Sequence, residues 1–246
     1  MTDPRTSIIR KRLSSIRQII AVSSGKGGVG KSLVAATLAL SLTKKNCKVG
    51  LFDLDFTSPS THTILGVKNL QPIEDKGLIP PKVNGIEYMS LIYYTSDHPA
   101  PLRGTDTSNA LIELLAVTCW SQLDFLIIDM PPGIGDAVLD LIRFVNGIKF
   151  IIVTTSSRLA FETVKKLSAL LKDLKVPIVG VVENMKMNDK NAIQRETETL
   201  GLTFLGGIHY DPEIENAIGN TQALLDSVIA QRTRKMAEKL LPSLSQ

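Results

Sequence analysis

The sequence predicts an α/β fold, a doubly wound and mostly parallel sheet with helices on both faces. Three observations point to it. Short β-branched runs alternate with longer amphipathic or small-residue segments, the rhythm of successive β-α units. Runs such as Phe125-Leu126-Ile127-Ile128 are apolar at every position, as strands covered on both faces require. The apolar run Ile19–Val22 leads into a glycine-rich turn at Gly25, and that turn opens the small-residue run Leu33–Leu42.

In chain order, strands are expected at Ile19–Ser23, Lys48–Asp53, Ile86–Ile92, Asp124–Asp129, Ile148–Thr154, Ile178–Glu183 and Thr203–Ile208. Helices are expected over 31–44, 58–65, 107–119, 136–145, 158–173, 189–200 and 212–219, with a last one over 223–241. In that last helix Val228, Ile229, Met236, Leu240 and Leu241 fall at helical spacing. They form a stripe suited to packing on the sheet, with Arg232, Arg234, Lys235 and Lys239 on the solvated face. Residues 71–84 contain three prolines and read as an irregular loop.

At 246 residues and 43% hydrophobic, the chain is expected to form one domain over 1–246, with residues 1–17 as a basic extension. No apolar run reaches membrane-spanning length, and Arg5, Arg10, Lys11, Arg12 and Arg17 stand where a signal peptide would need an apolar core. A cytoplasmic location is the expectation. Cys47 and Cys119 are far apart, so neither a disulfide framework nor a C-x-x-C metal site can be built within one chain. The net charge of +4 comes without long basic blocks, and neither nucleic acid nor membrane is an expected partner.

The turn Gly25-Lys26-Gly27-Gly28-Val29-Gly30-Lys31-Ser32 matches G-x-x-x-x-G-K-[ST], with a strand before it and a helix after it. Its glycines allow a tight backbone whose N–H groups point inward, and the helix N-terminus adds partial positive charge. Lys31 is expected to reach the β- and γ-phosphates of ATP and Ser32 to ligate Mg²⁺. In such sheets ligands bind beyond the carboxyl ends of the strands, so the acids that close strands are informative. Asp129 follows four apolar residues and is expected to hold a water of the Mg²⁺ shell, while Gly133 lets a backbone N–H approach the γ-phosphate. Asp53 is expected near the metal and Asp55 to position the attacking water; alternatively the pair caps the turn before Ser58-Pro59-Ser60.

Lys26 is not required by the general loop pattern. With it, Gly25–Lys31 resembles the deviant Walker A of the ATPase group containing ParA, MinD, nitrogenase iron protein and the Mrp/ApbC proteins. The resemblance implies a homodimer closed by ATP, in which Lys26 serves the partner's nucleotide much as an arginine finger does. Within the group, the chain is most similar to the Mrp/ApbC iron–sulfur cluster carriers. The shared stretches are Asp53-Leu54-Asp55 with Ser58-Pro59-Ser60, Arg103-Gly104, Ile127–Gly133, Val153-Thr154-Thr155, Val182-Glu183-Asn184-Met185 and Asp211-Pro212-Glu213. The resemblance further implies that Asn184 hydrogen-bonds adenine, that Pro212 lines the base pocket, and that Leu33, standing where the group usually carries a second hydroxyl, offers only its backbone N–H to the α-phosphate; Asn184 could instead cap the next turn.

The largest departure from the family pattern follows Asn184, with smaller ones at Leu33, Ser156-Ser157 and His209. Cluster carriers of this family have a C-x-x-C shortly after Glu-Asn-Met, where this chain reads Lys186-Met187-Asn188-Asp189-Lys190-Asn191-Ala192. Thiolates hold iron–sulfur clusters, and these side chains cannot replace them. His62, His98 and His209 lack metal-ligand spacing. Three functions fit: a dimeric ATPase in metallocluster assembly acting on a protein client the sequence does not name, a positioning ATPase of MinD or ParA type, or a nucleotide-switched interaction module.

Overall fold

A computed structural model of the chain describes residues 3–56, 58–95 and 105–244. Arg103, Gly104 and His98 lie outside the described residues. The chain runs α1 (Arg5–Leu13), β1 (Ile16–Ser23), α2 (Lys31–Thr43), β2 (Val49–Asp53) and α3 (Thr61–Leu65). The short strands β3 (Ile73–Glu74), β4 (Leu78–Ile79) and β5 (Lys82–Val83) precede β6 (Ile86–Ser90) and α4 (Ile92–Thr95). Then come α5 (Thr105–Val117), β7 (Leu123–Asp129), α6 (Asp136–Phe144), β8 (Lys149–Thr155), α7 (Arg158–Asp173) and β9 (Ile178–Lys186). There follow α8 (Ala192–Thr199), β10 (Phe204–His209), α9 (Ile214–Ala217), α10 (Thr221–Asp226), α11 (Val228–Leu240) and a 3-10 turn over Leu241–Leu244.

Eight strands form one sheet in the order β10-β9-β8-β1-β7-β2-β6-β5. Every pairing is parallel except β5 with β6. Successive strand residues point to opposite faces and separate two cores. Ile19, Ala21, Leu126, Ile128, Phe150 and Ile152 face α1, α5, α6 and α7. Ile20, Val22, Phe125, Ile127, Ile151 and Val153 face α2, α10 and α11. The doubly wound prediction holds, and β1, flanked by β7 and β8, marks the point where strand order reverses. That reversal opens a crevice at the carboxyl end of β1.

The differences from expectation have local causes. The stretch read as a basic extension contains α1, whose Ile9 is fully buried and whose Arg12 donates to the Ala116 carbonyl. Strand β1 begins at Ile16, earlier than expected, because Ile16 and Gln18 pair with Leu123 and Phe125. The proline-rich loop holds the antiparallel pair β3–β4, and its Leu78 bridges to Thr118. The last helix is two helices: Asn220 caps α10 through the N–H groups of Gln222 and Ala223, and Ser227 leaves helical geometry to cap α11 through Ala230. Helix α11 buries Ile229, Met236 and Leu240, and Thr233 meets Ser41 of α2 at 3.0 Å. No helix among the described residues is long and apolar enough to cross a membrane.

Candidate functional site

The glycine-rich turn sits at the end of β1, in the crevice. Gly28 and Gly30 both have φ of 76°, the left-handed region where a side chain is strained. At Gly30 space is short as well, since a Cβ would collide with the amide nitrogen of Asn184. Gly25 lies so close to Thr163 of α7 that a Cβ would overlap the threonine side chain. Glycine is therefore required at two ends of the turn by contacts from β9 and α7, neither of which local sequence reveals.

Lys31, the first residue of α2, is buried and donates to Asp129 Oδ1 at 2.6 Å; its Nζ stands 3.3 Å from Ser32 Oγ and 4.0 Å from Asp55 Oδ2. The predicted phosphate lysine, hydroxyl and two carboxylates thus converge. Burial pushes the Asp129 carboxyl up to about 7; the Lys31 charge opposes the rise and the Asp53 carboxylate adds to it. Asp129 Oδ2 is buried with no hydrogen-bond partner among the described residues. A buried carboxylate oxygen beside a hydroxyl is a hard donor set, which fits Mg²⁺ and its waters.

Asp53 is placed differently from the expectation. Its Oδ1 accepts from the Asp55 N–H at 3.1 Å, and its Oδ2 accepts from the Thr61 N–H at 3.2 Å and the Thr61 hydroxyl at 2.5 Å. Both oxygens accept from protein donors, and Asp53 ties β2 to the start of α3. Burial raises its pKa, and the bonds from Thr61 and Asp55 oppose the rise. The Tyr88 hydroxyl, 2.9 Å from Thr61 Oγ1, is raised well above its ordinary value by burial and then by the Asp53 charge. Asp55 accepts from the Ser58 N–H at 3.2 Å and faces the glycine turn.

Gly133, expected to aim its N–H at a phosphate, donates it to the Ser24 carbonyl at 2.8 Å. Asn184 is buried and donates its amide to the Val29 carbonyl at 2.9 Å, inside the turn. Beside it, Leu33, Met185, Tyr210, Asp211 and Pro212 line a cleft contiguous with the turn, where the base pocket was expected. Met185 adopts φ of 54°, a strained value for a side-chain-bearing residue in a site. Lys26 is exposed and forms no ion pair among the described residues.

Sequence reasoning missed Thr61, Thr163 and Glu183. Glu183 is buried and accepts from Ser156 Oγ at 2.7 Å, joining the ends of β8 and β9. A buried acid in an apolar strand was the available signal. Cys119 lies beyond the end of α5 rather than within a helix, and Cys47 precedes β2; both are at the opposite end of the sheet from the glycine turn.

Residues 15–244 match the family described as NUBPL iron-transfer P-loop NTPase. The chain belongs to that family. This P-loop NTPase is 34% identical to the iron-sulfur cluster carrier protein of Aquifex aeolicus over 94% of this chain and 69% of that protein. With the carrier protein of Escherichia coli K12 it shares 40% identity over 72% of this chain, but the match spans only 48% of that protein. A nucleotide-binding protein of Archaeoglobus fulgidus in complex with ADP superimposes with a TM-score of 0.77 at 28% identity, covering 90% of this chain and 93% of that one. The cell division ATPase MinD of Pyrococcus furiosus, at 22% identity and a TM-score of 0.70, covers 92% of this chain and 98% of its own and shares the fold.

Proposed function

We propose that this P-loop NTPase hydrolyses ATP slowly as a homodimer and works in metallocluster assembly on a protein client, without holding the cluster through thiolates of its own. The observation that carries the reading is the buried Lys31–Asp129 pair at 2.6 Å with the second Asp129 oxygen left open beside Ser32. The pair keeps a cation and a carboxylate ready for a polyphosphate and a divalent ion. Ser32 and, through water, Asp129 would hold Mg²⁺, which would supply charge neutralisation at the phosphoryl group. Lys31 moves from Asp129 to the β- and γ-phosphates, and Asp55 orients the attacking water. Asp53 keeps Asp55 in place rather than reaching the metal. Lys26, exposed at the rim, extends to the partner's nucleotide, and the cleft by Asn184 and Pro212 receives adenine.

The relatives' name supports the assembly role. Against resident cluster chemistry stands the segment after β9, where Lys186 Nζ meets Asn191 Oδ1 at 3.2 Å and no cysteine is present. The proposal is tested by ATP turnover of the purified chain against Lys31→Ala, with anaerobic reconstitution in parallel. Turnover above the variant, and no stoichiometric cluster, is the expected result. Turnover equal to that of Lys31→Ala would sink the ATPase reading in favour of a nucleotide-sensing module, and a stable shared cluster would sink the cargo reading.

A further inference from the structure

Ser24 stands between two parts of the site. It is almost fully buried, between β1 and the first glycine of the turn. Its hydroxyl donates to the Lys26 carbonyl at 2.9 Å, and its own carbonyl accepts the Gly133 N–H at 2.8 Å. Earlier in the same two segments, the Met130 N–H donates to the Val22 carbonyl at 3.1 Å. Pro132 lies at van der Waals distance from the place a Cβ of Gly27 would take. The segment leaving β7 therefore runs along the entry to the glycine turn and is fastened to it at Ser24.

We infer that Ser24 is a positioning residue that transmits the state of Gly133 to Lys26. A backbone N–H has one proton to give. If Gly133 turns its N–H to a terminal phosphate, the Ser24 carbonyl loses its donor and the peptide around Ser24 is free to tilt. The Ser24 hydroxyl carries that tilt to the Lys26 carbonyl. Lys26 is exposed and forms no ion pair among the described residues, so its own backbone is the part of it that the fold constrains. The hydroxyl is committed to the lysine carbonyl rather than to phosphate, which separates its role from that of Ser32.

The inference rests on the reading that Lys26 serves ATP hydrolysis, and the test keeps the two apart. Single-turnover ATP hydrolysis and ADP affinity are measured for the intact chain and for Ser24→Ala, Lys26→Ala and the double variant. Ser24→Ala is expected to keep ADP affinity within about twofold and to slow hydrolysis by about tenfold, the kinetic equivalent of one neutral hydrogen bond. In the Lys26→Ala background the same change is expected to add nothing. An equal slowing in both backgrounds would overturn the inference, as would an unchanged rate in Ser24→Ala or a loss of ADP binding that marks the hydroxyl as a prop of the loop. A normal rate in Lys26→Ala would instead overturn the reading of Lys26 itself.

Discussion

Asn184, near the end of β9, holds the Val29 carbonyl at 2.9 Å and so fixes the phosphate turn from a strand 155 residues away in sequence. Both groups are buried, and removing one partner leaves the other without compensation. Asn184→Ala is expected to weaken ADP binding by about tenfold, roughly 1 to 2 kcal/mol. Asn184→Asp is expected to be worse, since a carboxylate would face the Val29 carbonyl with no proton between them. Calorimetric titration with ADP ranks the two; equal affinities for the intact chain and Asn184→Asp would refute the assignment.

Gly30 makes a matching prediction from the other side of that contact. An alanine there meets both the left-handed backbone and the Asn184 amide. Gly30→Ala is expected to lower stability by about 1 to 2 kcal/mol from the backbone alone, with a further loss from the collision. Thermal unfolding without nucleotide reads this directly. Gly28→Ala, with the same φ and nothing within 4 Å of its added methyl, isolates the backbone part and is expected to cost less.

Asp53 and Asp55 are expected to separate into a residue that holds the fold and one that serves chemistry. Asp53→Asn places an amide among three donors and is expected to lower the unfolding temperature. Asp55→Asn is expected to leave unfolding nearly unchanged and to reduce hydrolysis by at least about a hundredfold while ATP still binds. An Asp55→Asn protein that hydrolyses at the normal rate would remove Asp55 from the mechanism.

The buried Asp129 gives a pH dependence. Its carboxyl sits at about 7 in the folded chain against an ordinary value of 3.8, so the folded state binds the proton more tightly. Its contribution to stability is complete below the ordinary value and is lost as pH rises through about 7. The nucleotide-free chain is therefore expected to unfold at a lower temperature at pH 8 than at pH 6, and Asp129→Asn to flatten that difference. An unchanged slope in Asp129→Asn would show that other groups set it.

The sheet and the phosphate turn were legible because they are written locally. The apolar run 125–128 can be only a covered strand, and the spacing from Gly25 to Ser32 forces a turn between strand and helix. What escaped was contributed across space. Thr61 reaches Asp53 over eight residues by the way α3 begins, and Thr163 presses on Gly25 through the seating of α7. Neither residue type is unusual where it stands. Helix α1 escaped for a different reason: its Arg and Lys residues dominate its composition, and only Ile9 and Leu13 are buried. Asp53 was expected near the metal because it closes a strand, a rule that does not say that its carboxylate would also meet Thr61 and the Asp55 N–H.

The Lys31–Asp129 pair makes ligand capture a double exchange. Above about pH 7, where Asp129 is ionised, the lysine is paired with this carboxylate 2.6 Å away, so the crevice presents little free positive charge. A lone anion can take the lysine only by stranding a buried carboxylate, and a lone cation can take the carboxylate only by stranding a buried ammonium. A polyphosphate travelling with its divalent ion satisfies both at once. The crevice is therefore expected to discriminate against inorganic phosphate, monophosphates and free metal ahead of any contact with the base.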